Sequence, residues 1–343
     1  MPPHPHPHPL RILHLGLGPL GQKTVTDLYT RRLGSVVAAV DVAPGIAGKP
    51  LREICPAVPP TDDVKILGSL EQFHDLKSID IAVVTTASDL RKCADNFRWL
   101  LSRGVSIVST CEEFVWPWLR HDALAKELDA LAKKHNARLL GTGVNPGAMM
   151  DAVPVFVTGV CRSVKSVEVH RIQDATTRRV PFQKKIGATL DDAAFAAGVE
   201  AGWLRHVGLG ESLHFIAHNL GLHIDSWSES IDPVRADRDL ACTLGPIPRG
   251  HICGVRQVGE GKKGNQTLIK LVFQAAIGQA DPQDRVIIDG EPPLDVVYRG
   301  GVHGDIATSA ITLNAIESLL AAPPGLHTMA TIPMVRCAPG VGR

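Results

Sequence analysis

The feature that most constrains the fold is a glycine-rich turn that follows an apolar run near the start of the chain. Ile12, Leu13 and Leu15 lead into the sequence GLGPLG, whose glycines stand at positions 16, 18 and 21. In a strand–turn–helix unit the first glycine permits a sharp turn, the second leaves room for a pyrophosphate, and the third lets the helix pack closely on the strand. A second apolar run, residues 36–40, ends in Asp41, 20 residues after the last of these glycines.

An acid at that spacing predicts a nicotinamide dinucleotide as the ligand, because its carboxylate can accept from both ribose hydroxyls. The N–H groups and dipole at the helix start favour the phosphates. Asp41 would repel a 2′-phosphate and residues 42–48 contain no Arg or Lys, so NAD is favoured over NADP, although Lys49 leaves dual use open. The residues predicted to contact the cofactor here are Gly16, Gly18, Pro19, Leu20, Gly21 and Asp41.

The bulk properties exclude several classes of protein. With 36 basic and 35 acidic side chains, the net charge is +1 and no basic block stands out, which argues against nucleic acid or a membrane surface as the main partner. No apolar stretch approaches the ~18 residues that span a bilayer. The first ten residues lack the pattern of a signal peptide, so we expect a cytoplasmic protein.

Histidine and cysteine usage does not indicate a metal site. The alternating His-Pro of residues 1–9 predicts a disordered tail rather than a metal-binding segment. The seven cysteines are odd in number, scattered and without a CxxC pair, so neither a disulfide framework nor structural zinc is predicted. We therefore expect no metal cofactor.

The remaining pattern predicts two domains. Strand and helix signals alternate through residues 10–145, which indicates an α/β, Rossmann-type doubly wound parallel sheet. Residues 146–303 show the alternating apolar and polar pattern of strands with one solvated face, together with helices, which predicts an α+β domain with a mostly antiparallel sheet. Residues 304–343 form a C-terminal helix and tail that we expect to pack back on the first domain.

Candidate site residues follow the predicted strands of the first domain, because ligands bind beyond the carboxyl ends of parallel strands. Thr85, Thr86 and Ala87 are suited to packing against the cofactor, although the following Ser88 and Asp89 suit a helix cap equally well. Glu112 and Glu113 come directly after a strand and suit general acid/base chemistry. They are alternatively helix N-terminal acids favoured by the dipole.

Of the two glutamates, Glu113 is slightly favoured as the catalytic group, because it lies further past the strand. Cys111, also predicted to contact the cofactor, suggests a rival thiol chemistry on an aldehyde, but two neighbouring carboxylates disfavour the thiolate. The predicted substrate-binding residues are Trp116, Trp118, Asn145, Arg171, Gln173 and His206, with Asn145 also near the cofactor. The two tryptophans can alternatively be core residues. His206, like any other histidine of the chain, can alternatively be a surface residue.

Several segments together resemble the 2,4-diaminopentanoate dehydrogenase and native amine dehydrogenase family, whose cofactor domain is similar to that of dihydrodipicolinate reductase. The resemblance covers about residues 10–336. It rests on GLGPLGQ, VSTCEEFVWPW, LLGTGVNPG, the TGVC of 158–161, CGVRQVGEG and the stretch that begins GGVHGDIATS.

The resemblance implies NAD(P)-dependent oxidative deamination of an amine to a carbonyl compound and ammonia, reversible as reductive amination, with the catalytic glutamate in the pair Glu112–Glu113. It also implies a homodimer. Residues 172–179, with their basic run Arg178-Arg179, depart from the diaminopentanoate enzymes, which leaves the substrate open. Two rivals remain: a dehydrogenase of an alcohol or aldehyde, and a non-catalytic NAD-binding sensor.

Overall fold

The computed structural model describes residues 9–338 and residue 340. It divides into two compact units, one formed by the described residues up to Ala148 and from His303 onward, the other by Met149–Val302. The expected disordered tail, residues 1–9, lies outside the described residues apart from Pro9. No helix in the described part of the chain is long and apolar enough to cross a membrane.

The strands of the described chain are β1 (Leu10–Leu15), β2 (Gly34–Val40), β3 (Ile81–Val84), β4 (Ile107–Ser109), β5 (Arg138–Gly141), β6 (Ser163–Asp174), β7 (Ser226–Arg235), β8 (Leu240–Cys242), β9 (Gly245–Ile247), β10 (Ile252–Lys263), β11 (Gln266–Ala276), β12 (Gln283–Glu291), β13 (Leu294–Arg299) and β14 (Gly325–His327). Its helices are α1 (Pro19–Thr30), α2 (Leu51–Ile54), α3 (Leu90–Leu101), α4 (Trp118–Lys134), α5 (Ala152–Val157), α6 (Val180–Lys185), α7 (Asp192–Glu200), α8 (Leu209–Asn219) and α9 (Gly304–Leu320).

The first unit is built on a parallel sheet in the order β14-β5-β4-β3-β1-β2. Successive residues of its strands enter different cores: Ile12 joins the core that includes α1 and α9, whereas Leu13 joins the core that includes α3 and α4. Helices therefore cover both faces, and the predicted Rossmann-type fold is confirmed. The last strand, β14, comes from the C-terminal segment and pairs with β5.

The second unit holds a six-stranded sheet in the order β13-β12-β6-β11-β10-β7. Only the β6–β11 pair is parallel, so the predicted mostly antiparallel α+β domain is also confirmed. On β6, Val167 and Val169 enter a core that also contains residues of α7 and α8. The alternate residue Glu168 faces away from that core and pairs with Lys270. All seven cysteines of the chain are free.

One buried polar residue stands behind the glycine turn. His14, on β1, is 1% exposed, and neither ring nitrogen has a hydrogen-bond partner among the described residues. Burial lowers the pKa of His14 to about 4, although the carboxylate of Asp41 acts in the opposite direction. Because a proton binds this histidine more readily in the unfolded chain, protonation favours unfolding.

We expect His14→Leu to make the protein less sensitive to acid. The native pKa lies below the unfolded value of 6.5, so the stability that depends on a neutral His14 is present above pH 6.5 and lost as the pH falls toward 4. At pH 5 this group alone lowers the free energy of unfolding by about 2 kcal/mol relative to pH 7.5. Urea unfolding at both pH values would measure the difference, with the exposed His74→Gln as control. An unchanged pH dependence in His14→Leu would contradict this account.

Candidate active site

The three glycines of the first turn have different surroundings. A Cβ on Gly16, whose φ is +94°, would lie 2.9 Å from the carbonyl of Thr85, and a Cβ on Gly21 would lie 2.0 Å from the Gly16 oxygen. By contrast, a Cβ on Gly18 would meet no atom within 4 Å, and this residue is exposed. Two glycines thus allow close packing of the turn, and the third leaves an open approach to the backbone.

Helix α1 begins at this open position. Its N-cap is Gly18, which supplies no side-chain acceptor, and its first turn contains no acidic residue. The first N–H groups of a helix have no partner within the helix, and the helix dipole gives them positive character. Pro19 has no N–H, so the donors available to an anion come from its neighbours. The start of α1 is thus suited to phosphate.

Asp41 is tied to the same turn. Its Oδ2 accepts from the N–H of Leu17 at 2.6 Å and its Oδ1 accepts from the N–H of Ala43 at 2.7 Å. The residue is partly exposed, and each carboxylate oxygen can accept more than one hydrogen bond. The carboxylate is therefore oriented by the backbone while it keeps acceptor capacity for hydroxyl groups.

The loop after β3 joins the glycine turn to the two glutamates. The Thr85 hydroxyl donates to the Gly16 oxygen at 2.8 Å. Three residues later, the Ser88 carbonyl accepts from the Cys111 thiol at 3.2 Å and from the Glu113 N–H at 3.3 Å. Of the other predicted residues in this loop, Thr86 is exposed and Ala87 packs against the core that includes α3. Asp89 caps α3 by accepting from the Arg91 N–H, which is the alternative role that the sequence analysis gave it.

We call residues 111–115, which follow β4, the glutamate turn. Glu112–Phe114 form a single 3-10 turn, and the Phe114 side chain is fully buried. A Cβ on Gly141, at the end of β5, would lie 2.5 Å from the carbonyl carbon and oxygen of Phe114. Only glycine at position 141 lets β5 approach the turn this closely, so the neighbouring strand fixes where the two carboxylates lie.

The two carboxylates have different surroundings. Glu113 Oε2 accepts from the N–H of Leu90, the first residue of α3, at 2.9 Å, and lies 2.8 Å from His121 Nε2. The Glu112 side chain is partly exposed and makes no hydrogen bond or ion pair with any other described residue. Glu113 is therefore held in place, whereas Glu112 is available to a ligand.

Two thiols lie next to these acids. A hydrogen bond with Cys93, followed by burial, raises the pKa of Cys111, and the charge of Glu112 acts in the same direction. Cys111 is 1% exposed, and its thiol also donates to the Ser88 carbonyl. Because the thiolate is the nucleophilic form, these surroundings disfavour covalent catalysis by Cys111.

Other predicted site residues of the first unit surround the same sheet edge. Trp116 and Trp118 are both partly exposed, and their rings lie 4.7 Å apart at 60°. Pro117 between them is the N-cap of α4. Asn145 follows β5 and is 9% exposed. The tryptophan pair thus keeps apolar surface available, and the amide lies in the loop after β5.

Arg171 and Gln173 are buried in the second unit. Arg171 Nη1 pairs with Asp284 Oδ1 at 2.6 Å, and its Nη2 donates to the Val302 carbonyl at 3.0 Å. The Val302 N–H in turn donates to Asp284 Oδ2 at 2.6 Å. The Gln173 amide donates to Ile172 O and limits the space at Gly301. Arg171 thus has a structural partner for its charge, which the sequence alone did not reveal.

His206 has a different environment. Its ring stacks on Phe273, with centroids 4.4 Å apart, and both its backbone N–H and carbonyl bind the buried amide of Gln257. Burial lowers the pKa of His206 well below its usual value, and the nearby cations Lys185, Arg171 and Arg205 act in the same direction.

Sequence reasoning missed His121, which contacts Glu113, and Asp284, which pairs with Arg171. His121 lies eight residues after its partner, at a kink inside α4, and Asp284 lies 113 residues after Arg171. No motif joins residues at such separations. Asp89, Glu113 and His121 also place one oxygen or nitrogen ligand atom each within 4.8 Å of one another, a grouping that could hold a metal ion.

Comparison with known proteins places these residues in context. The model of the family described as the 2,4-diaminopentanoate dehydrogenase C-terminal domain matches residues 148–342. A 2,4-diaminopentanoate dehydrogenase from Acetoanaerobium sticklandii is 29% identical over 342 residues, covering 96% of this chain and 95% of its own.

Solved structures show the same fold. The amine dehydrogenase from Mycobacterium smegmatis superposes with a TM-score of 0.82 at 22% identity, covering 98% of this chain and 99% of its own. A myo-inositol dehydrogenase from Corynebacterium glutamicum has a TM-score of 0.50 at 13% identity, covering 90% and 89% of the two chains. At these identities the likeness concerns the fold alone.

A paired substitution tests whether Arg171 binds substrate or only supports the fold. Asp284→Leu alone should destabilise the protein by about 3–5 kcal/mol, because it leaves the Arg171 charge buried without its partner. Arg171→Met combined with Asp284→Leu should recover most of that loss, since apolar replacement of a buried pair is often near neutral. Thermal unfolding measures the stability. If the refolded double variant binds substrate as well as wild type, Arg171 is structural; a selective rise in KM would show that it binds substrate.

Proposed function

Because the chain belongs to the 2,4-diaminopentanoate dehydrogenase family, we propose that it is a nicotinamide-dependent amine dehydrogenase. The reaction converts a primary amine, water and the oxidised cofactor into a carbonyl compound, ammonia, the reduced cofactor and a proton, and it is reversible as reductive amination. The observation that carries the proposal is the Glu112 carboxylate, which lies at the carboxyl edge of the parallel sheet without a side-chain partner among the described residues.

The first unit fits a dinucleotide. The open side of Gly18 and the start of α1 would accept the pyrophosphate, and the oriented carboxylate of Asp41 would accept the ribose hydroxyls. We also propose a preference for NAD over NADP, because the Asp41 carboxylate would repel a 2′-phosphate. The bound cofactor supplies the hydride acceptor of the oxidative reaction.

Glu112 would carry out the proton transfers. Its carboxylate binds the substrate ammonium, accepts one proton at a carboxylate oxygen, and leaves the amine nitrogen with the lone pair that assists loss of hydride from the adjacent carbon. Glu112 then releases that proton to solvent. The same oxygen takes a proton from the water that attacks the resulting iminium carbon, and returns it to the nitrogen as ammonia leaves and the carbonyl forms. This assignment reverses the slight preference for Glu113 expected from the sequence, because Glu113 is already bound to α3 and His121.

Negative charge at the turn would also stabilise the positive iminium. The tryptophan pair would supply apolar surface for the substrate, as the sequence predicted for Trp116 and Trp118. The raised pKa of Cys111 makes the rival thiol mechanism on an aldehyde less favourable. The homodimer expected from the resemblance remains a proposal, and it does not enter the argument for the reaction.

The identity of the substrate stays open, because residues 172–179 depart from the diaminopentanoate enzymes. The assay panel should therefore contain matched amines with and without a carboxylate, and their ketones with ammonia.

We expect Glu112→Gln to reduce deamination by a factor of about 10² or more, since a general acid/base group contributes about 10²–10⁴. The amide is of similar size but cannot accept the ammonium proton. Stopped-flow turnover on the best substrate measures the loss, and fluorescence titration with NADH checks that cofactor binding is retained. Cys111→Ala should keep most of the activity. Loss of turnover in Cys111→Ala with full activity in Glu112→Gln would favour the thiol mechanism, and NADH binding without turnover across the panel would favour a sensor.

We expect Asp41→Ser to shift the cofactor preference toward NADPH. The substitution removes the negative charge that would repel a 2′-phosphate, and serine keeps a short hydrogen-bonding side chain. The ratio of kcat/KM for NADH and NADPH in wild type and variant measures the shift. A wild-type enzyme that strongly prefers NADPH would contradict the role assigned to Asp41.

A further inference from the structure

We propose that Asp89, Glu113 and His121 form a binding site for a divalent transition-metal ion, for which zinc is a suitable probe. The site lies in the first unit, next to the residue that we propose transfers the protons. It goes beyond the proposed function, because no step of the reaction at Glu112 passes through this ion. The role of the ion is to connect three segments of the chain.

The ligand atoms come from three separate elements. Asp89 is the N-cap of α3, Glu113 belongs to the glutamate turn, and His121 lies inside α4. One oxygen or nitrogen atom of each side chain lies within 4.8 Å of the other two. Zinc binds carboxylate oxygen and imidazole nitrogen at about 2.0–2.2 Å, so two ligands of one ion lie up to about 4 Å apart. Small side-chain movements would therefore bring all three atoms onto one ion.

A kink in α4 brings the imidazole to this place. The backbone angles of His121, −137° and 43°, are not helical, and its N–H donates to the Pro117 carbonyl at 2.8 Å. Its Nε2 lies 2.8 Å from Glu113 Oε2, and the two side chains are 7% and 18% exposed. The group is therefore shielded without being closed. Water can supply a further ligand, as it does in zinc sites that have three protein ligands.

The carboxylates keep oxygens for a metal ion although both contact the start of α3. Asp89 Oδ1 accepts from the Arg91 N–H at 2.9 Å, and Glu113 Oε2 accepts from the Leu90 N–H at the same distance. The second oxygen of each, Asp89 Oδ2 and Glu113 Oε1, has no hydrogen-bond partner among the described residues. Capping of the helix and binding of an ion are therefore compatible.

The charges and the donor atoms favour a transition metal. Among the described residues, neither Asp89 nor Glu113 forms an ion pair with a Lys or Arg. A divalent cation would offset both negative charges, whose mutual repulsion is strong in a partly buried place. One imidazole nitrogen with two carboxylate oxygens suits zinc and similar metals, whereas calcium and magnesium prefer oxygen ligands alone.

A bound ion would hold the glutamate turn against its neighbours. It would join the start of α3, the turn after β4 and the kinked part of α4 through one set of bonds. A ligand that binds the native state and not the unfolded chain stabilises the native state. Zinc should therefore raise the melting temperature of the protein.

Calorimetric titration with zinc tests the site without amine or cofactor. The chain also contains His4, His6 and His8 in an alternating His-Pro segment, a composition that itself binds metal ions. The parent for all measurements is therefore the full chain with these three histidines changed to alanine, treated with EDTA and dialysed. We expect this parent to bind one zinc ion per chain.

Two substitutions should weaken zinc binding in the parent. His121→Ala and Asp89→Asn should each raise the Kd for zinc by a factor of about ten or more, since even changes behind a metal ligand cost about 10–100-fold in affinity. Asn at position 89 can still accept from the Arg91 N–H, so the cap of α3 is retained. Melting without metal checks that both variants fold, and zinc should no longer raise their melting temperatures.

Matched controls change exposed residues of the same types. His74→Ala alters an exposed histidine of the first unit, and Asp95→Asn alters an acid on α3 whose side chain is 96% exposed. Both should bind zinc as the parent does. Cobalt in place of zinc gives visible absorption that depends on its ligands, so the spectrum of the parent should change in His121→Ala.

Three results would overturn the inference. A parent that binds no zinc would mean that His121 serves only as the partner of Glu113. Zinc affinity that is unchanged in both His121→Ala and Asp89→Asn, or that falls equally in the two controls, would mean that the ion binds elsewhere. Absence of amine oxidation in a protein that binds zinc as expected would instead overturn the proposed function and leave the metal site in place.

Discussion

The close packing of α1 against the end of β1 is the constraint on which the rest of the candidate site depends. The Cα of Gly21 approaches the Gly16 carbonyl so closely that any side chain would collide with it. With α1 in this place, Gly18 lies at its exposed start and Asp41 can bind the Leu17 N–H. The Thr85 hydroxyl completes the contact by donating to the Gly16 oxygen. One pair of glycines therefore determines where the exposed start of α1, the Asp41 carboxylate and the loop after β3 lie.

A short series of contacts connects the loop after β3 to the two glutamates. Ser88 accepts from both Cys111 and Glu113, and Gly141 allows β5 to support the turn from its other side. As a result, Cys111, Glu112 and Glu113 differ in burial and in hydrogen bonding. Cys111 is buried and its pKa is raised, Glu113 is bound at the start of α3, and Glu112 keeps an available carboxylate. Three adjacent residues thus have three different surroundings, because Cys111 contacts Cys93 and Ser88, Glu113 contacts Leu90 and His121, and the Glu112 side chain has no partner among the described residues.

Local patterns in the sequence predicted the fold class and the glycine turn, because both depend on residues close together in the chain. The spacing of Asp41 predicted its place beside the turn. Contacts between distant residues were not predictable in this way. The partner of Arg171 lies on another strand, and the choice between Glu112 and Glu113 depends on an N–H from α3. Side-chain roles therefore required the tertiary structure even where the motif was evident.

The place of α9 and β14 in the first unit has a consequence for how the chain acquires its structure during synthesis. Residues 149–302 form a continuous unit, and they leave the ribosome before the segment that supplies Leu313, Ile316 and Leu319 to the core beside α1. Domains generally fold as units while synthesis proceeds. The second unit can therefore complete its own core first, whereas one face of the parallel sheet stays without α9 until that later segment has been translated.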